Sequence, residues 1–397
     1  LQSTVNADLA ATRTLTITIG SGDATIGGAV GATTSLSALT ITANDVSLAS
    51  IGGGAAGISG ATSVTASTSG ADTGSITFTG TTYNANAQTY TAPAGDNFVF
   101  SAGATTTFTT TADAVTFTTG TLLLGDGSNL AVNTAGGAIS ANAGIRGTSF
   151  ETVSANAGAT AISVGAIGNA DEIASVALTG TTITLYGDII TGDTPGNNVT
   201  LTGAPTLGNA VATTLTIDTD NATNVGNITV TGTITGSGRN LTLQGGTIST
   251  AAITTTGGSN VDGGSVTMSA TGTLTVSGTI TTNGGAFLAG NPGRNAGAVT
   301  LSGASPSIAA ITAVGTAAAS GGNNGGSGGN VSVDATSGST TLGGDITTTG
   351  GNGNGAGIGG NAGSITLSGP AALTANRLLS AVGGTGGTAG PGGFLQL

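Results

Sequence analysis

The sequence predicts an all-β fold: a parallel β-helix (β-solenoid), expected to be right-handed, with three strands per coil and Gly/Asn-rich loops extruded from one corner. Three observations predict it. Short β-branched stretches alternate apolar and polar residues, the pattern of a half-buried strand. One such stretch recurs at a nearly fixed interval. Between recurrences the chain is mostly glycine and asparagine, residues that tolerate the backbone conformations of tight corners.

From the N-terminus, strands are expected at "TLTITI" (Thr14–Ile19), "SITFTG" (from Ser75), "FVFSA" (from Phe98) and "AVTFTTGTLLL" (from Ala114). Two upstream stretches resemble each other: "VGATTSLSALTITANDVSL" from Val30 and "IGNADEIASVALTGTTITL" from Ile167. Their offset of 137 residues is too long for one coil, so several coils lie between them. A shorter cousin, "LGNAVATTLTIDTDN", starts at Leu207. No stretch has convincing helical periodicity.

The downstream half repeats cleanly. "GGSVTMSATG", "AGAVTLSGAS", "GGNVSVDATSG" and "AGSITLSGP" place Val266, Val299, Val331 and Ile365 at steps of 33, 32 and 34 residues. Leu395, in the closing "GGFLQL", follows Ile365 by 30 and reads as the first strand of another repeat. A second motif runs in phase through Ile253, Ile280, Ile311, Ile346 and Leu379. These two series are the expected interior columns. The organisation expected is one continuous solenoid, with less regular coils over 1–226 and regular coils of ~32 residues over 227–397. A propeller fits less well, because 3% aromatic residues leave few blade-closing side chains. Disorder is countered by the periodic Val, Ile and Leu.

Composition excludes several functions. Charged residues are 6% of the chain, against about 25% in a typical soluble domain. Five arginines, no lysine and a net charge of −12 from scattered carboxylates provide no basic cluster for nucleic acid. No cysteine means no disulfide and no thiolate metal site. No apolar run approaches the ~18 residues of a membrane span, so no membrane insertion is expected. The chain opens on Leu1 without a visible signal peptide and reads as a mature or internal piece of a longer precursor.

The combination "GGSVTMSATGTLTVSGTITTNGG" resembles the repeat region of filamentous-haemagglutinin-like secreted bacterial proteins, most clearly from about Asn227 to Leu397. The resemblance implies a large adhesin-type β-helix, exported by two-partner secretion or autotransport and located outside the cell or on its surface. It implies a structural role: a surface fibre, an adhesin stalk or a self-assembling filament subunit. The expected partner is another copy, docked head-to-tail through the terminal coils, with a surface or glycan ligand possible for such a family.

No catalytic, cofactor-binding or metal-ligating residue is expected. Carbohydrate-active β-helices, the alternative class, need paired carboxylates on one face. The close acidic pairs are Asp171/Glu172, Asp188/Asp193 and Asp218/Asp220, and they read as solvated strand ends and turns. Without histidine or lysine, the usual general bases are missing. Calcium-binding repeats carry an aspartate in every copy, whereas Asp262, Asp334 and Asp345 stand singly. The Thr-x-Thr runs resemble the rows of ice-binding solenoids, a third alternative. Irregular coil lengths weigh against a regular ladder, and threonine favours strands with one wet face anyway. Five Asn-x-Ser/Thr triplets, at Asn198, Asn221, Asn227, Asn240 and Asn330, read as turn-to-strand junctions rather than glycan sites. The loop around Arg294, "GNPGRNAG", is expected to be the most exposed excursion and the first trypsin site.

Overall fold

The computed structural model describes residues 1–397 apart from 54–56, 69–73, 169–172, 193–195, 209–213, 222, 223, 289, 372 and 375. The described residues are strands, turns and extended segments, with no helix among them. They form two compact units, Leu1–Gly203 and Ala204–Leu397, and each is a parallel β-solenoid.

In the first unit the strands lie on three faces, and the early coils reach the second face through isolated bridges at Val5, Val30 and Ile51. The first face runs through Thr14–Thr18, Ala38–Ala43, Thr62–Ala66, Gln88–Thr91, Val115–Thr118, Ile139–Ala141 and Ala161–Val164, each paired in parallel with the next. The second holds Thr82–Asn84, Thr106–Thr109, Leu130–Asn133 and Glu151–Asn156. The third holds Ala24–Ile26, Val46–Leu48, Ile76–Phe78, Asn97–Phe100, Thr121–Leu124 and Ile145–Arg146. The long strand Ile173–Leu185 serves two faces, Val176–Thr179 pairing on the second and Thr182–Leu185 on the first.

This distribution explains the upstream likeness. In the stretch from Val30, "ALTITA" lies on the first face and "VSL" on the third. In the stretch from Ile167, the matching strands lie on the second and first faces. The two share a strand–corner–strand style but not a position in the coil.

The core of the first unit is aromatic where its coils are widest. Phe78 stacks on Phe100 at 4.9 Å, Tyr83 on Phe108 at 4.8 Å and Tyr90 on Phe117 at 5.5 Å, each pair one coil apart. Edge-to-face contacts, such as Phe78 with Tyr90 at 5.0 Å, join the columns. Such pairs contribute about 0.5–1.5 kcal/mol each beyond area burial. The polar tips are satisfied. Tyr83 donates to the Leu48 carbonyl at 2.7 Å and Tyr90 to Gln88 Oε1 at 2.8 Å. Gln88 donates to the carbonyls of Tyr83 and Thr109, both at 3.0 Å. Burial pushes both phenol pKa values up from the usual tyrosine range.

The second unit is also three-faced, and its coils lengthen toward the C-terminus. One face runs from Thr214–Asp218 through Asn240–Gly245, Val266–Ala270, Val299–Gly303, Val331–Ala335 and Ile365–Ser368 to Leu395–Gln396. A second carries Ile234–Thr235, Ile253–Thr254, Ile280, Ile311, Ile346–Thr347 and Leu379–Ser380. The third carries Ile228–Val230, Ile248–Thr250, Leu274–Val276, Ile308 and Thr341–Leu342.

The Gly/Asn-rich excursions of these coils do leave from one corner, but they are not unpacked. Each runs out and back as two extended legs bonded in two directions. Outgoing legs pair from coil to coil: Gly284 N–H donates to the Val314 carbonyl, Gly315 to Thr349 and Gly350 to Val382, at 3.0 Å each. Returning legs do the same, from Gly263 to Asn295 and from Gly328 to Asn361, at 2.8 Å each. The two legs also bond each other, through Gly297 to Thr282 at 2.7 Å, Gly326 to Thr316 at 2.9 Å and Gly360 to Gly351 at 2.8 Å. At the neck, the buried hydroxyls of Thr255, Thr282 and Thr348 donate to the carbonyls of Gly264, Gly297 and Gly363 at 2.5, 2.7 and 2.6 Å. Glycine is required by close approach: a Cβ on Gly326 would stand 2.0 Å from the Arg294 carbonyl oxygen. Legs without side chains can lie against one another and satisfy their backbone by mutual pairing, as buried peptide groups must.

Candidate functional site

The two series read from the sequence meet as parallel neighbours. Val266 pairs with Val299, Val299 with Val331, Val331 with Ile365 and Ile365 with Leu395. Ile253 pairs with Ile280, then Ile311, Ile346 and Leu379. Every member down to Ile365 and Ile346 is buried. The last member of each column is not: Leu395 is 49% exposed and Leu379 half-buried.

This contrast defines the surface at the C-terminal coil. Leu378, Val382, Phe394 and Leu397 stand exposed beside Leu395. A concavity of about 390 Å³ opens there, lined by Leu367, Leu373 and Leu397 with Thr340, Ser368 and Gln396. The outer edge of Leu395–Gln396 pairs with no strand among the described residues.

The first coil shows the same features. In the strand Thr14–Thr18, Leu15 and Ile17 are half-buried, while their partners Leu39 and Ile41 are fully buried. With Ile19, Ala24, Ile26 and Leu1 they line a concavity of about 450 Å³. Asp8 and Arg13 form an exposed two-pronged ion pair nearby, both contacts at 2.7 Å. The pairing lowers the Asp8 carboxyl pKa and raises that of Arg13. Exposed pairs of this kind add little stability.

Three carboxylates of the second unit act as coil-to-coil fasteners. Asp262 accepts from the Asn295 N–H at 3.0 Å, Asp345 from the Leu378 N–H at 3.1 Å, and Asp334 from the Ser368 hydroxyl at 2.6 Å. Asparagines do the same. The side-chain oxygens of Asn227, Asn240, Asn283, Asn295, Asn324, Asn330 and Asn352 each accept a backbone N–H one coil further on, at 2.8–3.0 Å. Three of the five glycan-like triplets, at Asn227, Asn240 and Asn330, are thus sites of this device. The sequence signal for it is an asparagine or aspartate just before each strand or after each glycine pair.

Of the acidic pairs, Asp171/Glu172 and Asp193 lie outside the described residues, as does the side chain of Asp220. Asp218 accepts from Gln244 Nε2 at 3.4 Å. Among the described residues, no three Asp or Glu side chains gather where a metal ion could sit. Two acidic residues that the sequence reading passed over are buried: Asp96 accepts the Gly74 N–H at 3.2 Å, and Glu151 accepts the N–H groups of Thr148 at 2.7 Å and Ser149 at 2.9 Å, closing the turn after Arg146-Gly147.

Arg294 is half-buried rather than extruded. Its guanidinium donates to Asn260, and its backbone N–H donates to the Thr316 hydroxyl at 2.8 Å. Its carbonyl accepts the Thr316 N–H at 2.9 Å. The glycine layer that closes over this leg is the reason, and the expectation of an exposed loop is corrected accordingly.

No protein-family model matches the chain, and neither does any curated protein or solved structure.

Proposed function

We propose that the chain is a structural module of a secreted bacterial surface fibre or adhesin stalk of the filamentous-haemagglutinin-like type, acting without catalysis as a filament subunit. One observation carries this reading: the apolar columns continue in register to the outermost strands and end there wet. Covering a Leu or Phe side chain contributes about 1.5–3 kcal/mol. The edges Thr14–Thr18 and Leu395–Gln396 also offer backbone donors and acceptors to an added strand. Further coils of the same polypeptide would satisfy both, and so would a second copy docked head-to-tail, a heterologous contact that propagates instead of closing. Several carboxylates support a structural reading too, since Asp262, Asp334 and Asp345 each fasten one coil to the next.

Sedimentation at rising protein concentration, with electron microscopy of the same samples, tests the proposal. The expected result is a series of end-to-end multimers that Leu395→Asp reduces to single molecules. A chain that stays a monodisperse monomer at high concentration, with both end coils open, overturns the filament reading. Release of sugar ends from a panel of polysaccharides would overturn the non-catalytic one.

A further inference from the structure

The first face of the first unit carries a two-lane grid of hydroxyl groups that belongs neither to the core nor to the end coils. One lane is Thr16, Thr40, Ser63, Thr89 and Thr116, and the other is Thr18, Thr42, Thr65, Thr91 and Thr118. Each member pairs directly with the next, with no register shift over five coils. The first lane steps by 24, 23, 26 and 27 residues, so the unequal coil lengths are taken up outside these strands. The irregularity that weighed against a regular ladder therefore does not reach this face.

The chemistry of the grid is uniform. The side chains of all ten residues point outward, with Leu39, Ile41, Val64, Tyr90 and Phe117 buried behind them. None of the five strands contains a charged residue. None of the ten hydroxyls has a protein partner among the described residues, whereas the hydroxyls of Thr110, Thr134, Thr255 and Thr348 are bonded to carbonyls. The other faces differ. The third shows Thr77, Val99, Leu123 and Arg146 in sequence, and the second ends in Asn133 and Asn156. The two-lane grid stops after Thr118: the first lane continues as Ser140, but the second gives way to Asn142, which accepts the Ser163 hydroxyl.

Strand geometry sets the grid constants: about 4.8 Å between coils and about 6.7 Å between the two lanes, over a length of about 19 Å. Small soluble ligands bind in concave sites lined by diverse groups. A strand face presenting one group at two fixed repeats is suited to a solid with the same repeats. The oxygen rows on the prism plane of hexagonal ice recur at nearly these two distances. Hydroxyls without a protein partner, repeated at that spacing, are free to bond water at the same repeats. We propose that this face, from Thr16 to Thr118, binds ice. The inference stands on the face alone and does not depend on the end coils assembling.

The test uses the full chain and ice itself. Freezing-point hysteresis and inhibition of ice recrystallisation are measured for the wild type, for Thr89→Tyr and Thr40→Tyr within the grid, and for Ser154→Tyr, an exposed position on the second face. Melting curves verify that each variant folds, and the two grid positions provide independent readings if one does not. The expected result is a hysteresis gap and faceted crystals with the wild type and Ser154→Tyr, and loss of most of both with either grid variant. A wild type without hysteresis or recrystallisation inhibition overturns the proposal. So do folded grid variants that keep wild-type activity, or a Ser154→Tyr variant that loses as much as they do.

Discussion

Gly360→Ala tests whether the glycine legs of the second unit are a packed layer. Gly360 is buried, and a Cβ there would lie 1.9 Å from the Gly326 carbonyl oxygen. Opening that contact to a normal separation requires a shift of more than about 1 Å, in a close-packed region that has little room to yield. Three hydrogen bonds meet at this point, from Gly360 to Gly351, Gly351 to Gly326 and Gly384 to Gly360, all at 2.8 Å. A shift of that size breaks or strains them at about 1 kcal/mol each, about 3 kcal/mol together. Reduced freedom of the unfolded chain returns about 0.4–1 kcal/mol. The net loss of about 2–3 kcal/mol lowers the melting temperature by roughly 4–12 °C for a unit of this size. Locally it speeds amide exchange over residues 348–364 by about one to two orders of magnitude. Gly258→Ala is the control: nothing lies within 4 Å of its Cβ position, so it should be neutral or slightly stabilising. Hydrogen-exchange mass spectrometry and thermal melts read both. Unchanged exchange in Gly360→Ala, or equal damage from Gly258→Ala, refutes the packed layer.

Other outcomes follow from the same structure. Val299→Asp puts a carboxylate between buried Val266 and Val331, and a loss of more than about 4 kcal/mol should show in urea melts. Limited trypsin, followed by mass spectrometry, should cut at exposed Arg377 and Arg13 before half-buried Arg294. Tyr83 and Tyr90 should stay protonated in the folded chain beyond the pH at which free tyrosine ionises. Because their folded pKa values are raised, stability is full below the unfolded value of about 10 and declines as pH climbs from there. The phenolate absorbance of these two residues should therefore appear together with unfolding in an alkaline titration.

The second unit was legible because its later coils repeat at a nearly constant interval. Near-equal spacing of Val266, Val299, Val331 and Ile365 places the same residue type at the same point of successive coils, and the ladder needs little more. The first unit has coils of unequal length, so similar strings fall on different faces, as the stretches from Val30 and Ile167 do. The glycine legs were legible as corners but not as a bonded layer. Glycine carries no apolar–polar pattern, and the clue lay instead in the buried threonine two positions after Ile253, Ile280 and Ile346. Arg294 was misplaced for the same reason: the sequence places a charge in a glycine-rich stretch, but not a neighbouring leg over it. The threonine grid was visible as runs of residues. Its register was not, because differences in coil length say nothing about where along the coil the extra residues are housed.

The cross-coil use of asparagine also bears on how the molecule ages. An Asn-Gly pair deamidates when the glycine nitrogen attacks the preceding side-chain carbonyl, a reaction that needs both groups free to swing together. At Asn283-Gly284 and Asn352-Gly353 neither is free. Each side-chain oxygen accepts from the next coil, and each glycine N–H is held by a carbonyl, Val314 in one case and Thr385 in the other. The fastening that aligns the coils thereby shields these two of the chain's four Asn-Gly bonds from slow chemical decay.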